Sequence, residues 1–151
     1  MDAAPPVTEP RYHTPPPLVR RNAFLLVATM SATVVVLRLW LHASPNSDFD
    51  IRGYNVHHLF TGLLLIAVGG VPLAVFRGST RKLDVALVAF GAGLGMALDE
   101  WVYLIATDGS NAAYLLPVSL WGAVIVVGLA CAYAGLLVAL RLRRSPSVPA
   151  D

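Results

Sequence analysis

The sequence predicts an all-α protein, a four-helix antiparallel transmembrane bundle. Three observations carry that expectation. The 151 residues are 56% hydrophobic and 13% charged, with a mean hydropathy of +0.65, whereas an average soluble domain is about 25% charged. The apolar residues fall into four runs, 23–43, 56–76, 83–105 and 115–140. At ~1.5 Å per helical residue each run can cross a hydrocarbon core of about 30 Å. Finally, runs such as WGAVIVVGLACAYAGLLVAL lack the in-out alternation of membrane strands, and only helices satisfy every backbone group inside such a run.

Residues 1–22, MDAAPPVTEPRYHTPPPLVRRN, are proline-rich and read as a flexible tail. Arg20 and Arg21 before FLLVA are similar to a twin-arginine export signal. Three further spans follow, Arg38 interrupts the run and no clear A-x-A cleavage site follows it, so the expectation is a plain membrane anchor. Between the first two spans, Pro45, Asn46 and Asp48 in SPNSD mark a turn. Pro72 is placed to kink the second span near its end. The tight connection RGSTRK makes spans two and three a hairpin. Thr80 suits the N-cap of the third span, and Asp84 suits the positive end of its dipole. Pro117 suits the first turn of the fourth span. Residues 143–151 read as a second tail.

Loop charges set the expected orientation. Nine of the eleven Lys and Arg residues precede span one, lie between spans two and three, or follow span four. The positive-inside rule then puts both termini in the cytoplasm, with the chain in the plasma (inner) membrane. The net charge of +2 does not suggest nucleic acid, because the cations flank spans and form no patch. Cys131 is the one cysteine and is expected to behave as a small hydrophobe in the fourth span.

The informative residues are the polar ones within the apolar runs. Arg38 and His42 lie near the outer end of span one, and His57 and His58 open span two. Asp99 and Glu100 stand one to two turns before the end of span three, and Tyr114, Ser119 and Trp121 lie around the start of span four. All fall in the expected outer half. On a helix Asp99 and Glu100 diverge by about 100°. Gly91, Gly95 and Asp99 share one face, a small-residue stripe that admits close helix approach, within the chain or in a homo-oligomer. Gly93, Ala97 and Glu100 share the adjacent face; on span two, His58 and Gly62 align. The aromatic residues Trp40, Tyr54, Trp101, Tyr114 and Trp121 read as an interfacial belt. An acid at a span centre costs roughly 2.5–3.5 kcal/mol, so two unpaired acids facing lipid would nearly cancel the insertion energy of the helix.

Three readings of the polar set follow. In the first, Arg38 pairs with Asp99 or Glu100, and the bundle is non-catalytic, an assembly subunit whose buried ion pair is structural. In the second, His42, His57, His58, Asp99 and Glu100 supply ligands to a divalent metal, for which imidazole and carboxylate suit zinc, iron or manganese. No H-E-x-x-H or E-x-x-H occurs, so zincin and di-iron spacings lend no support. In the third, the acids and histidines relay protons or cations in an oligomeric transporter. A haem between two histidines would need a facing pair that the spacing does not supply. GAGLG lies inside an apolar span and follows no strand, which makes it a packing segment rather than a dinucleotide loop.

VHHLFTGLLL followed by GAGLGMALDEW resembles a pattern in small bacterial four-span integral membrane proteins that have no assigned activity. The pattern is His-His and a glycine opening one span, then Gly-x-Gly and Leu-Asp-Glu on the next. The likeness covers about a third of the chain. It implies a four-span membrane protein and marks His57, His58, Asp99 and Glu100, and it brings no reaction with it.

Overall fold

The computed structural model describes residues 16–44, 50–51, 54–55 and 57–144. The terminal segments 1–15 and 145–151, and the expected turn at Pro45, Asn46 and Asp48, lie outside the described residues. The elements are α1 (Pro16–Ala43), β1 (Asp50–Ile51), β2 (Tyr54–Asn55), α2 (His58–Val75), α3 (Arg81–Ala106), α4 (Asn111–Tyr114) and α5 (Pro117–Arg143). The fold is all-α apart from the short β1–β2 ladder, in which Asp50 faces Asn55 and Ile51 faces Tyr54.

Four helices, α1, α2, α3 and α5, are long and apolar enough to cross a membrane, so this is a multi-pass membrane protein. α1 begins at Pro16, before the apolar run. Its first turn contains Pro16 and Pro17, and prolines there forfeit only amide hydrogens that a helix leaves unbonded anyway. The fourth apolar run is preceded by a separate short helix. A short α4 forms first, then Leu115 and Leu116 intervene, and α5 starts with Pro117 at its N-terminus, where a proline belongs. Pro72 sits inside α2, one turn before its end.

Helix directions follow from contacts at the two ends. Arg21 of α1 reaches Asp84 of α3, and fifteen residues further along α3 Asp99 meets Arg38 of α1. α1 and α3 therefore run parallel. Gly62 of α2 meets Gly93, while Gly69 meets Ala86 and Phe90, so α2 runs against α3. Ser119 near the start of α5 meets Arg38, and Cys131 further along lies beside Ser31, so α5 runs against α1. The result is an up-down-up-down bundle. α3 packs on α1, α2 and α5 and is the most buried of the four.

Glycine permits this central position. A Cβ on Gly93 would come within 2.6 Å of the Gly62 carbonyl oxygen, and one on Gly95 within 2.6 Å of the Met30 carbonyl oxygen. Both are closer than real Cβ contacts. The two stripes read from the sequence thus serve two partners: Gly93 meets α2, and Gly91 and Gly95 meet α1. The Gly91–Gly95 face is consumed inside the chain. The bundle's outer surface carries large exposed apolar side chains, among them Phe24, Leu64, Val71, Ile105 and Leu129, the surface a lipid environment requires.

The α2–α3 connection is built as expected. Gly78 takes φ +102°, a conformation that favours glycine. The Thr80 hydroxyl oxygen accepts from the Leu83 N–H at 3.3 Å and caps α3. Asp84 sits in the first turn and is paired with Arg21.

Candidate functional site

Asp99 and Glu100 are both buried, at 0% and 3% exposure. They leave α3 in different directions and meet different helices.

Asp99 faces α1 and the start of α5. Its Oδ1 accepts from Arg38 Nε at 2.7 Å, and its Oδ2 accepts from the Tyr114 hydroxyl. Arg38 continues outward. Its Nη1 donates to the Tyr114 carbonyl at 3.0 Å. Its Nη2 is directed at the Asp99 carbonyl at 3.3 Å, the Ser119 carbonyl at 3.2 Å and the Ser119 hydroxyl at 3.1 Å. One guanidinium therefore joins α1 to α3, α4 and α5. Its plane also lies over the Tyr114 ring, 4.0 Å from the centroid, which adds a cation–π contact. The geometry suits arginine: a rigid fork of donors can serve several acceptors at once, and a lysine ammonium could not. Tyr114 stays protonated here, because burial first and the Asp99 charge second push its hydroxyl pKa up.

Glu100 faces α2. Its Oε2 accepts from the Leu59 backbone N–H at 2.7 Å. Its Oε1 lies 3.3 Å from His58 Nδ1 and 3.7 Å from His57 Nδ1. α2 has no side-chain cap of its own, and His57 at the N-cap position makes no capping bond. Glu100 supplies the missing function from another helix. Its oxygen satisfies one of the free amide hydrogens, and its charge sits at the positive end of the α2 dipole. The imidazoles remain partly open, with side chains 24% and 33% exposed for His57 and His58.

Tyr103, one helical turn beyond Glu100, lies between the two halves. Its ring meets Tyr114 edge-on at 5.2 Å and His57 at 6.1 Å. Its hydroxyl donates to the Gly109 carbonyl at 2.5 Å and is 3.2 Å from the Ser110 carbonyl. That bond pins the α3–α4 turn, where Gly109 has φ +74°. The Ser110 hydroxyl oxygen accepts from the Ala113 N–H at 3.3 Å and caps α4. Asp108 Oδ1 accepts from the Ser110 N–H at 3.0 Å. This bond holds the Asp108 carboxyl below the usual aspartate range.

The sequence-derived residues thus divide. Arg38 and Asp99 meet, and His57, His58 and Glu100 meet. His42 does not join them: it is exposed on α1, a turn beyond Arg38. The five-residue metal set is therefore not assembled as expected, and no group of three or more His, Cys, Asp and Glu side chains among the described residues is arranged to hold a metal ion. Helical geometry gives the reason. Asp99 and Glu100 point about 100° apart, and each is drawn to a different partner helix.

A further correction concerns Tyr114, which the sequence assigns both to the polar set and to the aromatic belt. Tyr114 is 5% exposed and bonded to Asp99, so it belongs to the polar core and not to the aromatic belt. Trp40, Trp101 and Trp121 are exposed on the bundle surface, as a belt requires, and the Tyr54 side chain lies outside the described residues. Ser119 is fully buried and serves Arg38. The Leu59 amide could not have been singled out from the letters, since every residue but proline carries one.

No family model, curated protein or solved structure matches this chain. The likeness of its two motif segments to small four-span membrane proteins therefore carries no family assignment.

Proposed function

We propose that this protein is a non-catalytic membrane bundle, a scaffold or assembly subunit, whose register is locked at one end by the two α3 acids. One observation carries the reading. Asp99, with no exposed surface, has both carboxylate oxygens bonded, and its partner Arg38 spends its donors on acceptors from three other elements. A group so fully engaged holds helices together. A charge poised for turnover would keep an oxygen free to meet a substrate. The distribution of Lys and Arg supports placing both termini in the cytoplasm of a plasma (inner) membrane, with the acids near the outer face.

The test is a double-mutant cycle on detergent-purified protein. Arg38→Leu and Asp99→Leu should each cost about 3–5 kcal/mol, the usual loss when one half of a buried pair is stranded. The double variant should recover a large part of that loss. Coupling smaller than about 0.5 kcal/mol would reject the locking role. Orientation is checked separately with C-terminal reporter fusions, and an exported C-terminus would overturn the topology.

The half-open imidazoles beside Glu100 favour a second reading, in which His57, His58 and Glu100 exchange protons with the adjacent surface. Histidine ring resonances followed by NMR between about pH 5 and 8 decide it. Rings that do not titrate in that window would remove the reading.

A further inference from the structure

The opposite end of the bundle carries a different kind of cluster. Arg20, Arg21, Arg77, Arg81 and Lys82 come from α1, the α2–α3 connection and the first turn of α3, and all five are exposed. The Arg21 guanidinium reaches across to the Asp84 carboxylate and lies 3.4 Å from the Ser79 hydroxyl. This link brings the start of α1 against the α2–α3 connection and the first turn of α3, so the cations of these segments lie at one end of the α1–α3 pair. Asp84 is the one acid of the described residues in these segments, and Arg21 already engages it. Arg20, Arg77, Arg81 and Lys82 are left as excess positive charge on that corner.

The corner also has a defined depth. α1 and α3 each enter an apolar stretch immediately beyond these residues, so the cations lie where the hydrocarbon ends and lipid phosphates begin. A soluble anion would meet them from the water side only. A phospholipid can set its phosphate among the cations while its chains lie along exposed Phe24 of α1 and Val85 of α3. We infer that the α1–α3 corner formed by Arg20, Arg77, Arg81 and Lys82 is a binding site for the phosphate headgroup of an anionic phospholipid. A second basic group, Arg141, Arg143 and Arg144, lies at the end of α5 and serves as the comparison.

The test counts lipid adducts by native mass spectrometry on the full-length protein, titrated with phosphatidylglycerol or phosphatidylcholine. Phosphatidylglycerol should be retained preferentially. A cation near a membrane surface contributes about 1 kcal/mol, or about fivefold in affinity. The Arg81→Gln, Lys82→Gln variant should therefore lose roughly 25-fold and Arg20→Gln about fivefold. Removing equal charge by Arg143→Gln, Arg144→Gln should leave the preference in place. Equal losses from both double variants would show diffuse attraction and overturn the site, as would no loss from either. Displacement of the lipid by inorganic phosphate alone would reassign the corner to a free anion and overturn the lipid assignment. All the substituted side chains are exposed, and melting temperatures matched to the parent protein confirm folding before adducts are counted.

Discussion

Asp99 and Glu100 are neighbours in sequence and equally buried, yet they are used in opposite ways. Asp99 meets a permanent cation, a tyrosine hydroxyl and no free space, and its set is closed from four elements. Glu100 meets a backbone amide and two imidazoles that remain partly exposed. The Asp99 carboxylate joins α3 to α1 and α4, with Arg38 extending the link to α5, and the Glu100 carboxylate joins α3 to α2. A single dipeptide on the central helix therefore fastens the whole bundle, because a 100° step directs successive side chains to different partners. The difference between the halves is one of partner chemistry. Arginine keeps its charge at any working pH, whereas imidazole does not.

This contrast can be broken at its stronger half first. Beyond the Arg38–Asp99 cycle, the largest single effect expected is at Tyr114. Tyr114→Phe keeps the ring under Arg38 and removes one hydroxyl, which leaves Asp99 Oδ2 buried without its donor. Such an orphaned acceptor costs roughly 1–3 kcal/mol. Chemical unfolding in detergent should show that loss, and Tyr133→Phe, at an exposed position on α5, should show none. Equal stability of Tyr114→Phe and the parent protein would mean that Asp99 does not depend on the hydroxyl.

The weaker half should give a smaller and more local response. Glu100→Leu removes the cap of α2, a loss of about 0.5–2 kcal/mol by analogy with other caps. Glu100→Gln retains an oxygen for the Leu59 N–H and should recover most of it. Hydrogen exchange should quicken at Leu59 and the following amides in Glu100→Leu, while α1 and α5 stay protected. Loss of protection spread evenly over all four helices would erase the distinction between the two halves.

Much of this was legible in the letters, and for physical reasons. The spans followed from length and hydropathy, and the Thr80 cap and Pro117 start from local backbone chemistry. The divergence of Asp99 and Glu100 followed from helix periodicity, and Arg38 stood out as the charge able to pair with one or the other. The remainder depended on tertiary geometry. The amide of Leu59 has no side-chain signature, and Tyr114 looked like a belt residue because an aromatic at a span end fits either role. His42 shares a face with Arg38 at a spacing of four, but α1 carries it past the cluster to the surface. Periodicity fixes a residue's direction, but it does not give the height at which a neighbouring helix ends.

The least costly perturbation lies in the turn that positions Tyr114. Asp108 accepts from the Ser110 N–H, and Ser110 in turn caps the helix carrying Tyr114. The bond depresses the Asp108 pKa, so the folded state binds its proton less readily than the unfolded chain. Whatever stability this contributes is present above the ordinary aspartate pKa of about 3.9 and is lost as pH falls through the lower folded value. The Ser110 amide resonance should therefore move as pH drops below about 4 in the parent protein and stay flat in Asp108→Asn, which keeps an acceptor but cannot titrate. Asp108 is fully solvated, so overall stability in the two proteins should be nearly the same at neutral pH. A drop there comparable to that of Tyr114→Phe would mean that the turn, and not the buried hydroxyl, holds the Asp99 half closed.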